Sequence, residues 1–150
     1  MKASSKCIAL IKSFEGFCGK PYICPAGVPT IGYGSTRYED DTPVKLTDPT
    51  IDEHKAMVIM YATLRQYEDA VHRYVQIELN QDQFDALVDF AYNCGAQNLR
   101  TSTMLKYINA GDFKKAQAEF SKWVNGGGKK LPGLVRRREA ERILFNGDLV

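Results

Sequence analysis

The sequence predicts an α+β fold: one amphipathic helix, a small irregular β region, and then a mainly helical body. Three observations carry that prediction. Cys7, Leu10, Ile11 and Phe14 recur at helical spacing near the N-terminus. Residues 17–46 are punctuated by glycines, prolines and aromatics, which break the chain into short strand-like runs. Beyond residue 47, helix-start residues and glycine stops alternate along the chain.

The first helix is expected from Ser4 or Ser5, either of which can cap it, to Gly16, which can end it. Glu15 lies four positions past Ile11 and seven past Ile8, so it sits at the edge of the apolar stripe. Within the β region "VPTIGYG" is the best strand, running into a turn. A second helix is expected from a Thr47 or Asp48 cap with Pro49 in its first turn, reaching residue 74 as one rod or as two helices with a bend. Asn80 then caps "QDQFDALVDFAYNCG", with Gln83 placed for a capping box, Phe84, Leu87, Val88 and Ala91 as its stripe, and Gly95 as its stop. "TSTMLKYINAG" and "DFKKAQAEFSKW" read as a helical hairpin broken at Gly111, "NGGGKK" as a flexible loop, and "PGLVRRREAERILFNG" as a last helix opened by Pro132 and closed by Gly147.

Composition narrows the functional classes. The 150 residues suit one domain with a real core, and 44% hydrophobic with 25% charged residues is ordinary for a folded protein. The longest apolar stretches, such as "CIALI" and "AMVIMYA", fall far short of a membrane span. Lys12 and Glu15 interrupt the N-terminal apolar patch and no small-residue cleavage site follows, so residence in the cytoplasm after synthesis is expected. The cysteines at 7, 18, 24 and 94 have no CxxC spacing, so neither a metal nor another cofactor is expected. Cys18 and Cys24 could close a small disulfide loop, but free thiols are the expectation in a reducing compartment. The net charge of +2 hides an asymmetry: residues 100–142 carry eleven basic groups against four acidic. Such a surplus suits an anionic partner, or simply a solvated charged face.

Several local patterns lose their first appeal on inspection. "GGGKK" has no strand before it and no Ser or Thr after the lysine, so it is not a phosphate loop. The arginines of "RRREAER" point in different directions around a helix, and Glu139 can pair with Arg142, so nucleic acid is not expected as a partner. His54 and His72 with Cys24 suggest a Cys–His peptidase, but no helix N-terminus follows Cys24. Trp123 and the tyrosines are better explained as core than as sugar platforms.

Glu15, Cys24 and Thr30 resist that treatment. A carboxylate at a helix C-terminus gains nothing from the helix dipole, and partial burial beside the stripe favours its protonated form. A glutamate kept in so unfavourable a place is what a general acid requires. The irregular sheet is expected to bring Cys24 and Thr30 back toward it.

Three ordered motifs then carry a family likeness over nearly the whole chain. Glu15, eight residues, Cys24, five residues, Thr30 resembles the Glu–(Asp or Cys)–Thr pattern of the phage-type lysozymes (glycoside hydrolase family 24). "TIGYG" resembles their strand and turn after the threonine, "NQDQFDALVDFAYNCG" their core helix, and "LPGLVRRREAER" their C-terminal segment. The sequence departs from many members at Cys24, where they carry Asp, and at Ser35, where they carry His.

The resemblance implies a single lysozyme-like domain over 1–150, with a small β-lobe and a larger helical lobe joined by a long helix and an active-site cleft between them. Its parts would be a first helix about 4–15, a β-lobe about 16–47, a connecting helix about 48–75 and a helical lobe about 76–150. It implies an endolysin muramidase acting on peptidoglycan as a monomer, without stable membrane insertion. Such an enzyme waits in the host cytoplasm and reaches the periplasmic wall with the help of a holin. Glu15 would be the acid, with Cys24 and Thr30 its partners on the far side of the sugar. A Cys18–Cys24 disulfide would silence Cys24. A wall-binding module of the same fold, its catalysis impaired by Cys24, is the alternative.

Overall fold

The computed structural model describes residues 1–147; residues 148–150, part of the expected helical lobe, lie outside them. The chain forms helices and two small two-stranded antiparallel sheets, which is the α+β class expected. Its contacts group it into two compact units, one made of Ile11–Gln66 and the other of Met1–Leu10 with the residues from Tyr67 onward.

The smaller unit begins inside helix α1 (Ser5–Glu15), which starts after a Ser4 whose hydroxyl accepts from the Lys6 amide at 3.3 Å. Gly16 ends it, its amide donating to the Lys12 carbonyl at 3.0 Å. Strands β1 (Cys18–Ile23) and β2 (Pro29–Gly32) follow as an antiparallel hairpin. Cys18 pairs with Gly32 and Tyr22 with Thr30, so four steps along β1 match two along β2. Pro21 falls inside the resulting bulge, where its missing N–H costs no ladder bond. Ile11, Ile31, Tyr33, Val44, Ala56, Ile59, Met60 and Leu64 form the buried core of this unit.

Helix α2 (Glu53–Tyr74) is one uninterrupted rod, but it starts several residues later than expected. Asp48 does not cap it. Its carboxylate turns back to accept from the Lys45 amide and the Tyr38 hydroxyl, each at 2.8 Å, and the Ile51 amide is held by the Gly19 carbonyl at 2.9 Å. Asp52 caps instead, accepting from the Lys55 amide at 2.8 Å.

The larger unit is built on α3 (Gln81–Cys94), whose Asn80–Gln83 capping box forms as expected and which stops at Gly95. A short helix that the sequence reading did not separate, α4 (Ala96–Thr101), precedes α5 (Thr103–Asn109) and α6 (Phe113–Glu119). Helix α7 (Pro132–Phe145) closes the fold and packs along α3. Phe90, Phe120 and Phe145 meet edge-on near the centre, with ring centroids 6.0 and 5.7 Å apart.

Two expectations change here. The segment 125–130 is not a loose loop but a hairpin, with β3 (Asn125–Gly126) paired to β4 (Lys129–Lys130). Gly127 and Gly128 turn it with φ of 58° and 79°, the pair of positive values that a two-residue hairpin turn demands. The arginines of α7 are also less available than their number suggests. Arg137 and Arg138 are buried; Arg137 grips Asp89 with two hydrogen bonds of 3.0 and 2.8 Å, and Arg138 bonds Asn93 and Glu141 at 2.8 and 2.9 Å. Part of the basic surplus therefore holds α7 to α3 and is not presented to a partner. Glu139 and Arg142 form the expected surface pair at 2.6 Å.

Candidate active site

The hairpin sets two of the three expected site residues side by side. β1 runs into a three-residue connection, Pro25–Ala26–Gly27, closed by the Gly27 amide on the Cys24 carbonyl at 2.8 Å and by the Cys24 amide on the Val28 carbonyl at 3.1 Å. Proline suits the first central position of such a turn. Side chains on a strand alternate between faces, so Tyr22 and Cys24 share one, and Thr30 joins them because it stands opposite Tyr22.

Thr30 is buried, and its hydroxyl donates to the Val28 carbonyl at 2.8 Å. The neighbouring Thr30 hydroxyl, first, and the Val28 and Ala26 amides favour the ionised sulfur and hold the Cys24 thiol below the usual thiol range, against a smaller opposing effect of burial. To donate to the thiolate the Thr30 hydroxyl has to rotate away from the Val28 carbonyl, since it carries one proton.

Glu15 ends α1 and is half-buried. Its carboxyl is pressed against Gly34: a Cβ added there would fall 2.6 Å from Oε1. Gly34 also has a φ of 80°, so both its backbone angle and the space beside it call for glycine. The turn that carries Gly34 is fixed by Tyr33, whose hydroxyl donates to Glu53 at 3.0 Å and whose ring meets Phe17 at 5.9 Å, with Lys12 5.8 Å from its centre. Ser35 is buried, its hydroxyl 3.3 Å from that of Thr63, and its backbone exchanges hydrogen bonds of 2.9 and 3.0 Å with Ile31. It serves the turn as a structural residue.

Tyr22 stands on the same hairpin face, opposite Thr30. Burial pushes its phenol up, and the charges of Glu15, Cys18 and Cys24 push it further. The sequence reading passed over Tyr22 and Gly34, although Tyr22 stands two residues before Cys24 in a strand and Gly34 closes "TIGYG".

The other candidates fall away from this face. Neither histidine is among the groups that shift the Cys24 thiol. His72 bonds the Met1 carbonyl at 2.6 Å and stacks near Phe84, and His54 is exposed. All four cysteines are free thiols, with the Cys18 thiol donating to the Lys20 carbonyl at 3.2 Å.

A carboxyl group against the Gly34 turn, with a thiol, a hydroxyl and a phenol on one hairpin face, offers groups that can give up and take back protons. The comparisons with known proteins agree with the motifs. The family model described as phage lysozyme matches residues 12–141. An endolysin of Bacillus phage B103 is 45% identical over 151 residues, an alignment covering 97% of this chain and 54% of that protein. An endolysin of Acyrthosiphon pisum secondary endosymbiont phage 1 is 38% identical over 149 residues, covering 97% and 98%. Among solved structures, the endolysin from Escherichia coli O157:H7 phage FAHEc1 matches with a TM-score of 0.86 at 34% identity, covering 97% of this chain and 93% of that one.

The chain belongs to the phage lysozyme family. It spans about half the length of the Bacillus phage B103 relative and nearly all of the aphid-symbiont phage relative.

Proposed function

We propose that the chain is an endolysin muramidase that hydrolyses the β-1,4 bond between N-acetylmuramic acid and N-acetylglucosamine in peptidoglycan. The observation that carries this reading is the hairpin that sets Thr30 opposite Tyr22 and next to Cys24, with the Glu15 carboxyl held against Gly34 just beyond its second strand.

Breaking a glycosidic bond leaves electrons on the departing oxygen and builds oxocarbenium-like positive charge on the sugar. Glu15 protonates that oxygen. On the opposite face, Cys24 acts as the base. Its thiolate draws a proton from a water that Thr30 helps to hold, and the water adds to the sugar with inversion of configuration. The lowered acidity range of the Cys24 thiol suits that task, since only the ionised sulfur can accept the proton.

The partner on this reading is the bacterial wall, met by a monomer that binds no nucleic acid. Among the described residues no helix is long and apolar enough to cross a membrane. Its place on this reading is the host cytoplasm before lysis, with passage to the wall through the pore of a separate holin.

Incubation with purified peptidoglycan, followed by product analysis, tests the proposal. The expected result is new reducing ends at muramic acid in the inverted anomeric configuration. Free amines in their place would point to a peptidase or amidase. Wall binding with no product would leave a module of the same fold that has lost catalysis.

A further inference from the structure

We infer that Tyr22 is a substrate-contacting residue, its phenol hydroxyl donating a hydrogen bond to an oxygen of the sugar held between Glu15 and Cys24. The inference rests on the muramidase reading and adds to it a residue that neither the motif nor the family pattern of the three expected groups includes.

The strand register supplies the geometry. Tyr22 stands directly opposite Thr30 and two residues before Cys24, so the three share one face of the hairpin. The bulge that absorbs Pro21 sets Tyr22 opposite Thr30: without its two extra residues Lys20 would stand there and Tyr22 would lie opposite Val28.

The unit's other buried or half-buried tyrosines show what is unusual about Tyr22. Tyr33 donates its hydroxyl to Glu53 at 3.0 Å and Tyr38 to Asp48 at 2.8 Å. Tyr22 is half-buried too, yet among the described residues its hydroxyl has no hydrogen-bond partner. Its oxygen is not among the fully buried polar atoms, so water can serve it in the free protein and a ligand oxygen can take that water's place. Burial first, and then the charges of Glu15, Cys18 and Cys24, keep this phenol un-ionised, so it remains a donor through the range in which the other two groups exchange protons. Sugars offer hydroxyl and acetamido oxygens for such a donor, whereas a tyrosine with only a packing role would be equally well served by phenylalanine.

Two measurements decide the matter. In the wild-type background, Tyr22→Phe is expected to lower kcat/KM for reducing-end release roughly tenfold, the loss of about one good hydrogen bond. It should leave the melting temperature and the pH midpoint of Cys24 alkylation where they were, and a structural role would move both. In the inactive Glu15→Gln background, binding of a soluble disaccharide-repeat fragment of peptidoglycan is read by calorimetry, and Tyr22→Phe is expected to weaken it by a similar factor. Unchanged kcat/KM and unchanged binding overturn the inference while a cleaving wild type leaves the muramidase reading intact. A wild type that binds the fragment without cleaving it, and loses binding with Tyr22→Phe, sinks the catalytic reading and keeps the contact. No binding and no cleavage end both.

Discussion

Ionisable groups are gathered in two places in this molecule, and the two are built on opposite terms. In the larger unit, Asp89, Arg137, Arg138 and Glu141 are fully or nearly fully buried and tied to one another: Arg137 on the Asp89 carboxylate, Arg138 on the carboxyl of Glu141, with Arg138 also 5.2 Å from the centre of the Phe90 ring. In the smaller unit, Cys24 is half-exposed and owes its lowered acidity range chiefly to one hydroxyl. The first arrangement neutralises charge in order to hold α7 on α3. The second leaves a proton able to leave and return. Number of charges alone would have pointed to the wrong one: the arginine-rich segment looks more like a functional surface than the hairpin does, and it is largely internal scaffolding.

The largest effect expected from breaking this contrast lies at Glu15. Glu15→Gln should reduce reducing-end release by about a hundredfold or more, the usual weight of a general acid, with an unchanged melting temperature. Residual lysis close to the wild-type rate would take Glu15 out of the chemistry.

Arg137→Leu should do the reverse. It strands a buried Asp89 carboxylate and should cost about 3–5 kcal/mol of stability by chemical denaturation, while the fraction that remains folded keeps its specific activity. A loss of activity without a loss of stability would mean that the cluster takes part in catalysis after all.

Cys24→Asp replaces one base by another and should keep activity within roughly an order of magnitude of the wild type. If the aspartate variant were dead and Cys24→Ser active, the base assigned to Cys24 would be wrong.

The smallest effect concerns the pH dependence of stability. Burial, together with the neighbouring Asp89 charge, pushes the Glu141 carboxyl well above its usual range, and Arg138 and Arg137 oppose this only in part. Burial also works against ionisation of Asp89, but the hydrogen bond from Glu141 and the charges of Arg137 and Arg138 outweigh it and hold that carboxyl below its usual range. The native state therefore keeps a proton on Glu141 that the unfolded chain releases near pH 4.3, about the free glutamate value. Stability from this group is complete below that pH and is lost as pH rises toward the folded value. Asp89 has the opposite sign, its contribution disappearing as pH falls below the free aspartate value of about 3.9. The charged groups facing the pair are Arg137 and Arg138; the Cys94 and Cys7 thiols beside it are pushed up by burial and stay un-ionised. Glu141→Gln should flatten the decline on the neutral side; an unaltered slope of melting temperature against pH would show that Glu141 does not hold the proton.

What the sequence disclosed follows the same division. Local signals were legible because their partners are near in the chain: the Asn80–Gln83 box, the Gly16 and Gly95 stops, the opening of α7 at Pro132, and the Glu139–Arg142 pair. The start of α2 was misplaced because Asp48 has a second use, as acceptor for Lys45 and Tyr38, that no cap rule anticipates. The burial of Arg137 depends on Asp89, 48 residues away on another helix. For the candidate site, motif and the odd placement of the carboxylate put forward Glu15, Cys24 and Thr30. Tyr22 was passed over, because its place opposite Thr30 depends on a bulge between Cys18 and Tyr22 that no local sequence signal marks.

The central claim is that one hydroxyl tunes one thiol for proton transfer. The direct measurement is the pH dependence of Cys24 alkylation, resolved site by site by mass spectrometry, in the wild type and in Thr30→Val, beside the acid limb of the rate profile of each. The account predicts a Cys24 midpoint below the ordinary value of about 8.5 in the wild type, a midpoint shifted upward in Thr30→Val, and an acid limb that moves up with it. Coincident alkylation midpoints in the two proteins, or a rate profile that ignores the shift, would contradict it.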